Sequence, residues 1–564
     1  MPANLIERYK NIVKKEFVIW AIFLFGIWFV VMKPMGHSFL LVPGDLADAR
    51  FSNYVLEHFF RWLSGLDHEY WTAPFFYPYH NTIAFSENFL GSAIFYAIFR
   101  WIGFSQVTSF QGWYITGFIF NYFSAYYVLS RLRFNAWAVA CGSFFFTFGL
   151  PMIAQEGHSQ LVFRFCIPIA CYLLWLFYLK PRLSRLAALF FFTIWQLYIS
   201  IYLGIFLMLL LAVMAIVLIV QTHSNKFFLW PRKFRKAWFV SSIPVRFLFA
   251  FALIVLSVCT VALMWPYYEV YKEYGFSRDW TLVSSMLPSL QSYLSANHSQ
   301  LWKALTAVLF PNAETRYEQE LFPGLAVLLL GTVGILHRFQ SKKRSFAWWH
   351  FWAVIVLMVL TLNFNGFSLY WFLWQIPGVN SIRAVTRIQL ILMWPSAVFI
   401  AWTVNSYFQG LKTKSAISKV FIFLVIGLLM IEPIFFEHTT YSKVKAQLRL
   451  TTLKSEIPRS VPENPILLVA QNFGEAFYIS ELDGMLLSQE LGWATINGYS
   501  GNFPSGYLRA KSCLQVPQRI MSFMAHKRIT AESFYLNMIK RVVPLGFTDC
   551  NPDWWKKMPG SSLP

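Results

Sequence analysis

The residues best suited to chemistry lie in one short stretch, Pro43-Gly-Asp45-Leu-Ala-Asp48-Ala-Arg50, just past the first long apolar run. A carboxylate there can orient or deprotonate an attacking hydroxyl, and a guanidinium can meet a phosphate. Charged groups at the edge of a bilayer are costly and are kept where something uses them. Asp45 and Asp48 equally suit the first turn of a helix, where N–H groups and the helix dipole favour negative charge. The stretch by itself leaves both readings open.

Other polar residues recur in the segments between apolar runs. Glu87 follows Ser86 ahead of an apolar helix and reads either as a cavity group or as a complement to that helix's N-terminus. Gln155-Glu156-Gly157-His158-Ser159-Gln160 offers Glu156 and Gln160 as cavity candidates. Its His158 reads either as a hydrogen-bonded structural residue or as a ligand for phosphate or metal. Glu318-Gln-Glu320-Leu-Phe-Pro-Gly324 adds Glu320. Arg383 and Arg387 sit four apart at the start of a span, placed for a donor phosphate or for lipid headgroups. Nothing in the chain has the form of a P-loop, HExxH, paired CxxC or dinucleotide fingerprint, so ATP-driven and redox chemistry have no support. A divalent metal such as Mg or Mn is left open, because Asp45, Asp48, Glu87, Glu156 and His158 are available without a deciding spacing.

These residues need elements to hold them. The chain has 564 residues, 57% hydrophobic and 13% charged, against about 25% charged in soluble domains, so it is a membrane chain. Its net charge of +21 is dispersed in short basic clusters between apolar runs, the pattern of cytoplasmic loops and not of nucleic-acid binding. The clusters are Arg8/Lys10/Lys14/Lys15, Arg131/Arg133, Lys180/Arg182/Arg185, Arg232/Lys233/Arg235/Lys236, Arg338/Lys342/Lys343/Arg344 and Lys412/Lys414/Lys419. On that side the only acids are Glu7 and Glu16. About 20 apolar residues cross a bilayer. Eleven spans follow, at 17–35, 107–129, 137–152, 161–179, 186–200, 202–220, 247–265, 321–336, 348–362, 387–404 and 420–436, with the N-terminus inside and the C-terminus outside. The apolar piece 88–104 is assigned to an interfacial or re-entrant helix, since counting it as a span would invert the charge rule. No cleavable signal is expected at the N-terminus.

Residues 1–436 therefore form a transmembrane domain with a long first periplasmic loop (36–106), and residues 437–564 a small periplasmic α/β domain. That tail is expected to hold a strand at 465–470, a helix at 475–490, a short strand at 494–497, a turn-rich loop at 498–506 and a helix at 530–541. Of six cysteines, Cys141, Cys166, Cys171 and Cys259 fall in spans, while Cys513 and Cys550 form an isolated pair on the oxidising side, suited to a disulfide. The polar candidates all fall in outer loops, which suggests a site at that face. Nucleotide sugars are absent there, so a transferase would draw on lipid-phosphate-linked donors.

At these motifs the chain resembles the GT-C superfamily of polyprenyl-phosphate-dependent membrane glycosyltransferases, and more closely the large group of bacterial GT-C-like membrane proteins without measured activity. The resemblance rests on Gly44-Asp45 opening a long first outer loop, Gly157-His158-Ser159-Gln160, the Gln196…Ser200…Tyr202…Gly204 turn, Glu320-Leu-Phe-Pro-Gly324, Arg383-Ala-Val-Thr-Arg387 and Asn497-Gly-Tyr-Ser-Gly-Asn-Phe-Pro504. It implies a multi-pass helical fold, a bacterial inner-membrane location, and transfer of a sugar from a polyprenyl-phosphate donor to a lipid, glycan or protein of the envelope. It also implies that Asp45 is the catalytic base or site organiser, with Asp48, three positions on, as its partner acid. A transporter or flippase, or a non-catalytic assembly protein, is the alternative. A transporter should carry charges inside its spans, where Arg164 and Glu432 are the main examples.

Overall fold

The structure is a computed structural model that describes residues 16–221, 229–310, 317–340, 346–410, 414–472, 474–507 and 510–550. The basic residues at 8–15, 342–344 and 412 lie outside these. In chain order, α1 (Glu16–Met35) leads to β1 (Leu41–Pro43), α2 (Asp48–Leu63), α3 (Leu90–Trp101) and α4 (Gln106–Arg131). Then come α5 (Ala136–Phe148), α6 (Leu150–Ile153), α7 (Cys166–Leu179), α8 (Leu183–Ile199), α9 (Ile201–Gln221), α10 (Leu229–Val240) and α11 (Ile243–Tyr274). Short α12 (Trp280–Ser285) and α13 (Lys303–Leu309) precede α14 (Leu325–Gln340), α15 (Phe346–Thr361), α16 (Tyr370–Trp374), α17 (Gln389–Gln409) and α18 (Ala416–Ile431). The tail runs β2 (Thr440–Ser442), α19 (Lys443–Ser455), β3 (Ile466–Val469), α20 (Phe477–Leu491), β4 (Ala494–Thr495), α21 (Val516–Lys527), α22 (Glu532–Arg541) and β5 (Val542–Leu545).

Seven helical segments among the described residues are long and apolar enough to cross a membrane: Glu16–Met35, Ala136–Ile153, Ser159–Leu179, Ile201–Gln221, Ile243–Tyr274, Val385–Gln409 and Ala416–Ile434. Three shorter apolar helices, Leu183–Ile199, Leu325–His337 and Phe346–Thr361, match three more of the expected eleven. The last, at 107–129, lies within α4, whose 26 residues include Gln106, Gln111 and Asn121. Helix α3, in the segment 88–104 assigned to an interfacial or re-entrant helix, has 12 residues, about 18 Å of rise against about 30 Å of hydrocarbon. It is too short to span and packs instead on α2.

The chain divides into two compact units, each assembled from three separate segments. The first takes residues 1–39, 113–261 and 277–439. Its centre is α17, apolar on every side and therefore buried on every side. It packs against α5, α14 and α15. At Gly142 a Cβ would stand 3.0 Å from the Ala397 carbonyl and from Ala401, so glycine lets α5 approach α17 closely. At the other extreme, residues of α11 such as Phe247 and Phe251 are largely exposed, as lipid-facing residues are.

The second unit takes residues 40–112, 262–276 and 440–564. The tail from 440 lies in this unit with the first loop, and backbone pairing joins the two. Strand β1 pairs antiparallel with β2, Leu41 opposite Ser442. Strands β4-β3-β5 form a parallel sheet in that order. Beside β4 the first loop supplies the partners: Thr495 N–H donates to Pro74 O at 2.8 Å, and Tyr77 N–H to Thr495 O at 2.9 Å. An edge that would otherwise stay unpaired is satisfied this way. Buried Ile466, Leu468, Ile496, Val516 and Ile520 fill one side of the sheet, and Leu467, Val469, Leu487 and Val543 the other. Cys513 and Cys550 are joined in a disulfide, and the Asp549 carboxylate accepts the Cys513 N–H at 2.9 Å.

Candidate functional site

The candidate residues fall in both units, and each unit builds its own constellation. In the second, Gly44 adopts φ +91°, a left-handed turn that ends β1 and throws Asp45 ahead of α2. Asp45 Oδ1 accepts the N–H groups of Ala47 at 3.1 Å and Ala49 at 3.4 Å, so the acid caps the helix it precedes. Burial pushes its carboxyl above the usual range and Asp48 adds to this, while the donated N–H bonds oppose it.

Asp48 is gripped from the tail: the Tyr499 hydroxyl donates to its Oδ1 at 2.6 Å. The loop carrying Tyr499 is fixed from below. Buried Glu481 Oε2 accepts Asn497 Nδ2 at 2.9 Å, Gly498 N–H at 3.0 Å and the Tyr507 hydroxyl at 2.8 Å. Its other oxygen meets Arg519 at 2.6 Å. A Cβ at Gly498 would fall 2.0 Å from the Phe76 ring, which is why glycine stands there. Arg50 turns away from the acids beside it in sequence and pairs with Asp483 at 2.5 Å, both 2% exposed. Arg449 holds the other oxygen of Asp483 at 2.7 Å and forks onto Glu475 with two 2.8 Å bonds. Glu87 is buried between Ser86, whose carbonyl accepts the Tyr267 hydroxyl at 2.9 Å, and Asn88, whose side chain caps Leu90 at 3.0 Å.

In the first unit Tyr202, the second residue of α9, meets the Arg387 side chain and the Arg383 backbone. Arg387, 5% exposed, lies 4.8 Å over its ring, and its Nε has no hydrogen-bond partner among the described residues. The Arg383 N–H donates to the Tyr202 hydroxyl at 3.3 Å. Arg278 joins them: burial lowers its pKa, and the neighbouring Arg383 charge lowers it further. Like charges crowded into a half-buried place raise each other's energy unless an anion offsets them. The turn that presents Tyr202 is tight, since a Cβ at Gly204 would lie 2.7 Å from the Leu197 Cα.

The remaining candidates act as clamps. Glu156 accepts His438 Nδ1 at 2.9 Å and the Thr439 N–H, tying its loop to the segment after α18. His158 Nε2 lies 3.5 Å from Glu318, so its ring already faces a carboxylate. Gln160 Oε1 is buried without a hydrogen-bond partner among the described residues. Glu320 accepts the His298 N–H at 2.9 Å, and its other oxygen lies 3.0 Å from His298 Nδ1. Burial raises its pKa.

No family model matches the chain, and no curated protein does. Among solved structures, the mycobacterial arabinofuranosyltransferase AftD is similar at a TM-score of 0.46 and 10% identity. The match covers 81% of this chain and 29% of AftD, so the chain spans under a third of that protein's length. The roles assigned to this chain rest on its own residues.

For a metal, the three-ligand group among the described residues is Cys513, Asp549 and Cys550, whose thiols are consumed by the disulfide. It contains none of Asp45, Asp48, Glu87, Glu156 or His158. Sequence reasoning missed Arg278, which sits in an irregular stretch, and the grip of Tyr499 on Asp48. A clue to the second was present in the glycine-rich run around Tyr499.

Proposed function

We propose that the chain is a GT-C-type glycosyltransferase of a bacterial inner membrane, moving a sugar from a polyprenyl-phosphate donor to a lipid, glycan or protein of the envelope at the periplasmic face. The orientation belongs to the same proposal: eleven spans, N-terminus inside, C-terminus outside. The observation that carries it is the Arg387 side chain over the Tyr202 ring, with its Nε unpartnered among the described residues and with Arg278 and Arg383 in the same unit. Guanidiniums suit a phosphate anion, and they would stabilise the charge that builds on it as it leaves. In the second unit, Asp45 is the base. It takes the proton of an acceptor hydroxyl as that oxygen bonds to the anomeric carbon, while the carbon–oxygen bond to phosphate breaks and the polyprenyl phosphate departs with the electron pair. Each role is assigned on the geometry of the unit that carries it.

The charges within spans weigh against a transport pathway. Arg164 is wholly buried, 5.0 Å over the Phe146 ring, with one nitrogen 3.1 Å from Met393 Sδ. Glu432 is consumed by the N-terminus of α14, accepting the Leu325 N–H at 2.6 Å. The test is transfer from a panel of polyprenyl-phosphate sugars by the purified protein, beside Asp45→Asn and Arg387→Gln. Turnover lost in Asp45→Asn with donor binding retained, and donor binding weakened about tenfold in Arg387→Gln, is the expected result. Transfer equal in all three would overturn the residue assignments, and no transfer or donor binding by the wild type would overturn the enzyme.

A further inference from the structure

Helix α10 follows α9 and precedes α11, both long and apolar enough to cross a membrane. Its 12 residues rise about 18 Å, too little to span. They carry Arg232, Lys233, Arg235 and Lys236 and no acid. One side is packed: buried Ala237, with Trp230 and Trp238, joins a cluster with Phe177, Leu183 and Phe249.

The docking is held at several points. Trp230 Nε1 donates to Ala215 O at 3.3 Å, and Lys233 Nζ to Tyr178 O at 2.6 Å. Arg246 satisfies the end of the helix, donating to the Trp238 carbonyl at 2.8 Å and the Phe239 carbonyl at 3.3 Å. That anchoring fixes which side chains are left outward. They are Arg232, Arg235 and Lys236, with Phe239 and Val240 beside them at 68% and 75% exposure. The turn between α7 and α8, whose Leu183 lies in the same cluster, adds exposed Lys180 and Arg182.

We infer that α10, with the α7–α8 turn, is a docking surface for anionic phospholipid headgroups. The exposed surface pairs cations with bulky apolar side chains, which matches the headgroup–acyl boundary, where a phosphodiester and hydrocarbon are met together. On the proposed orientation, which puts α10 on the inner side and on which this inference rests, its charge complements the negative cytoplasmic leaflet. The surface is independent of the reaction proposed above, and none of its residues belongs to that machinery.

The experiment is native mass spectrometry of the full-length protein released from micelles holding equal phosphatidylglycerol and phosphatidylcholine. The wild type should retain phosphatidylglycerol preferentially, and the preference should fall about fivefold per cation lost in Arg232→Gln/Arg235→Gln/Lys236→Gln. The exchange Arg232→Lys/Arg235→Lys/Lys236→Arg should restore it. A wild type without preference, or a triple variant that keeps it, overturns the proposal. So does an equal fall in Lys445→Gln/Arg459→Gln/Lys540→Gln, which removes the same charge elsewhere. Should the first variant fail to fold, raising salt on the wild type gives the same decision: the preference should collapse as charges are screened, and a preference unchanged at high salt overturns it.

Discussion

Asp45 shows how a structural and a chemical role can share one carboxylate and still be separated. As a cap it should tolerate asparagine, which accepts the same N–H bonds, whereas alanine should cost about 0.5–2 kcal/mol. Its carboxyl titrates above the ordinary 3.8, chiefly through burial and then through Asp48. A carboxyl raised in the folded state contributes stability at pH below its unfolded pKa and loses it as pH climbs through the folded one. Asp45→Asn should therefore melt at or above the wild-type temperature at neutral pH while turnover disappears, as calorimetry beside the transfer assay would report. A protein that lost stability and kept turnover would be using Asp45 as a cap alone. The acid limb of the wild-type rate profile should lie above the usual carboxylate range for the same reason. Tyr499→Phe removes a 2.6 Å bond to Asp48 and should cost about 1.5 kcal/mol, read from denaturant midpoints. Of these contacts, the cap was legible, because Gly-Asp before a helical run is a local signal; the Tyr499 bond, 451 positions away in the chain, was not.

Among the elements, α14 starts in an unusual way. Its cap comes from the far end of α18: Glu432 Oε1 accepts Leu325 N–H and also Trp302 Nε1 at 3.1 Å. Gly324, at φ +106°, makes room, since a Cβ would stand 2.4 Å from Glu432 Oε2. The Glu320-Leu-Phe-Pro-Gly324 motif thus has a mechanical explanation at both ends, with Glu320 on His298 and Gly324 beneath Glu432. Gly324→Ala should cost about 2–3 kcal/mol in the wild type and clearly less in a Glu432→Ala background, where the clash is gone and only the backbone strain remains. A double-mutant cycle on thermal midpoints measures this; additive costs would refute the contact. Helix existence was readable from apolar runs, which are local, and ten of the eleven expected spans coincide with apolar helices. The tail helix α19 escaped notice because its lysines, threonines and leucines form no clean apolar face.

At the scale of the whole molecule, the change in composition expected at 437 lies beside the point where the chain passes from the first compact unit to the second, after residue 439. The change in polarity there is real, but it marks where the chain leaves an apolar run. Folding partners are set by pairings such as β1 with β2 and Arg50 with Asp483, 433 positions apart, and no periodicity records those. Asp483→Asn should leave Arg50 buried beside a neutral group and cost about 3–5 kcal/mol. Deleting residues 440–564 should abolish the folded second unit altogether, a loss that protease resistance of residues 40–112 would reveal.

The second unit also has a history during synthesis. Arg50 leaves the ribosome 433 residues before Asp483, and β1 about 400 ahead of β2. Through all that time α2 carries a guanidinium without its carboxylate and β1 a strand without its neighbour. The nascent first loop must wait for these partners until the last quarter of the chain is made. The acid-bearing turn is thus among the first pieces made and among the last to be finished, since a product ending before residue 483 would lack both Asp483 and Tyr499.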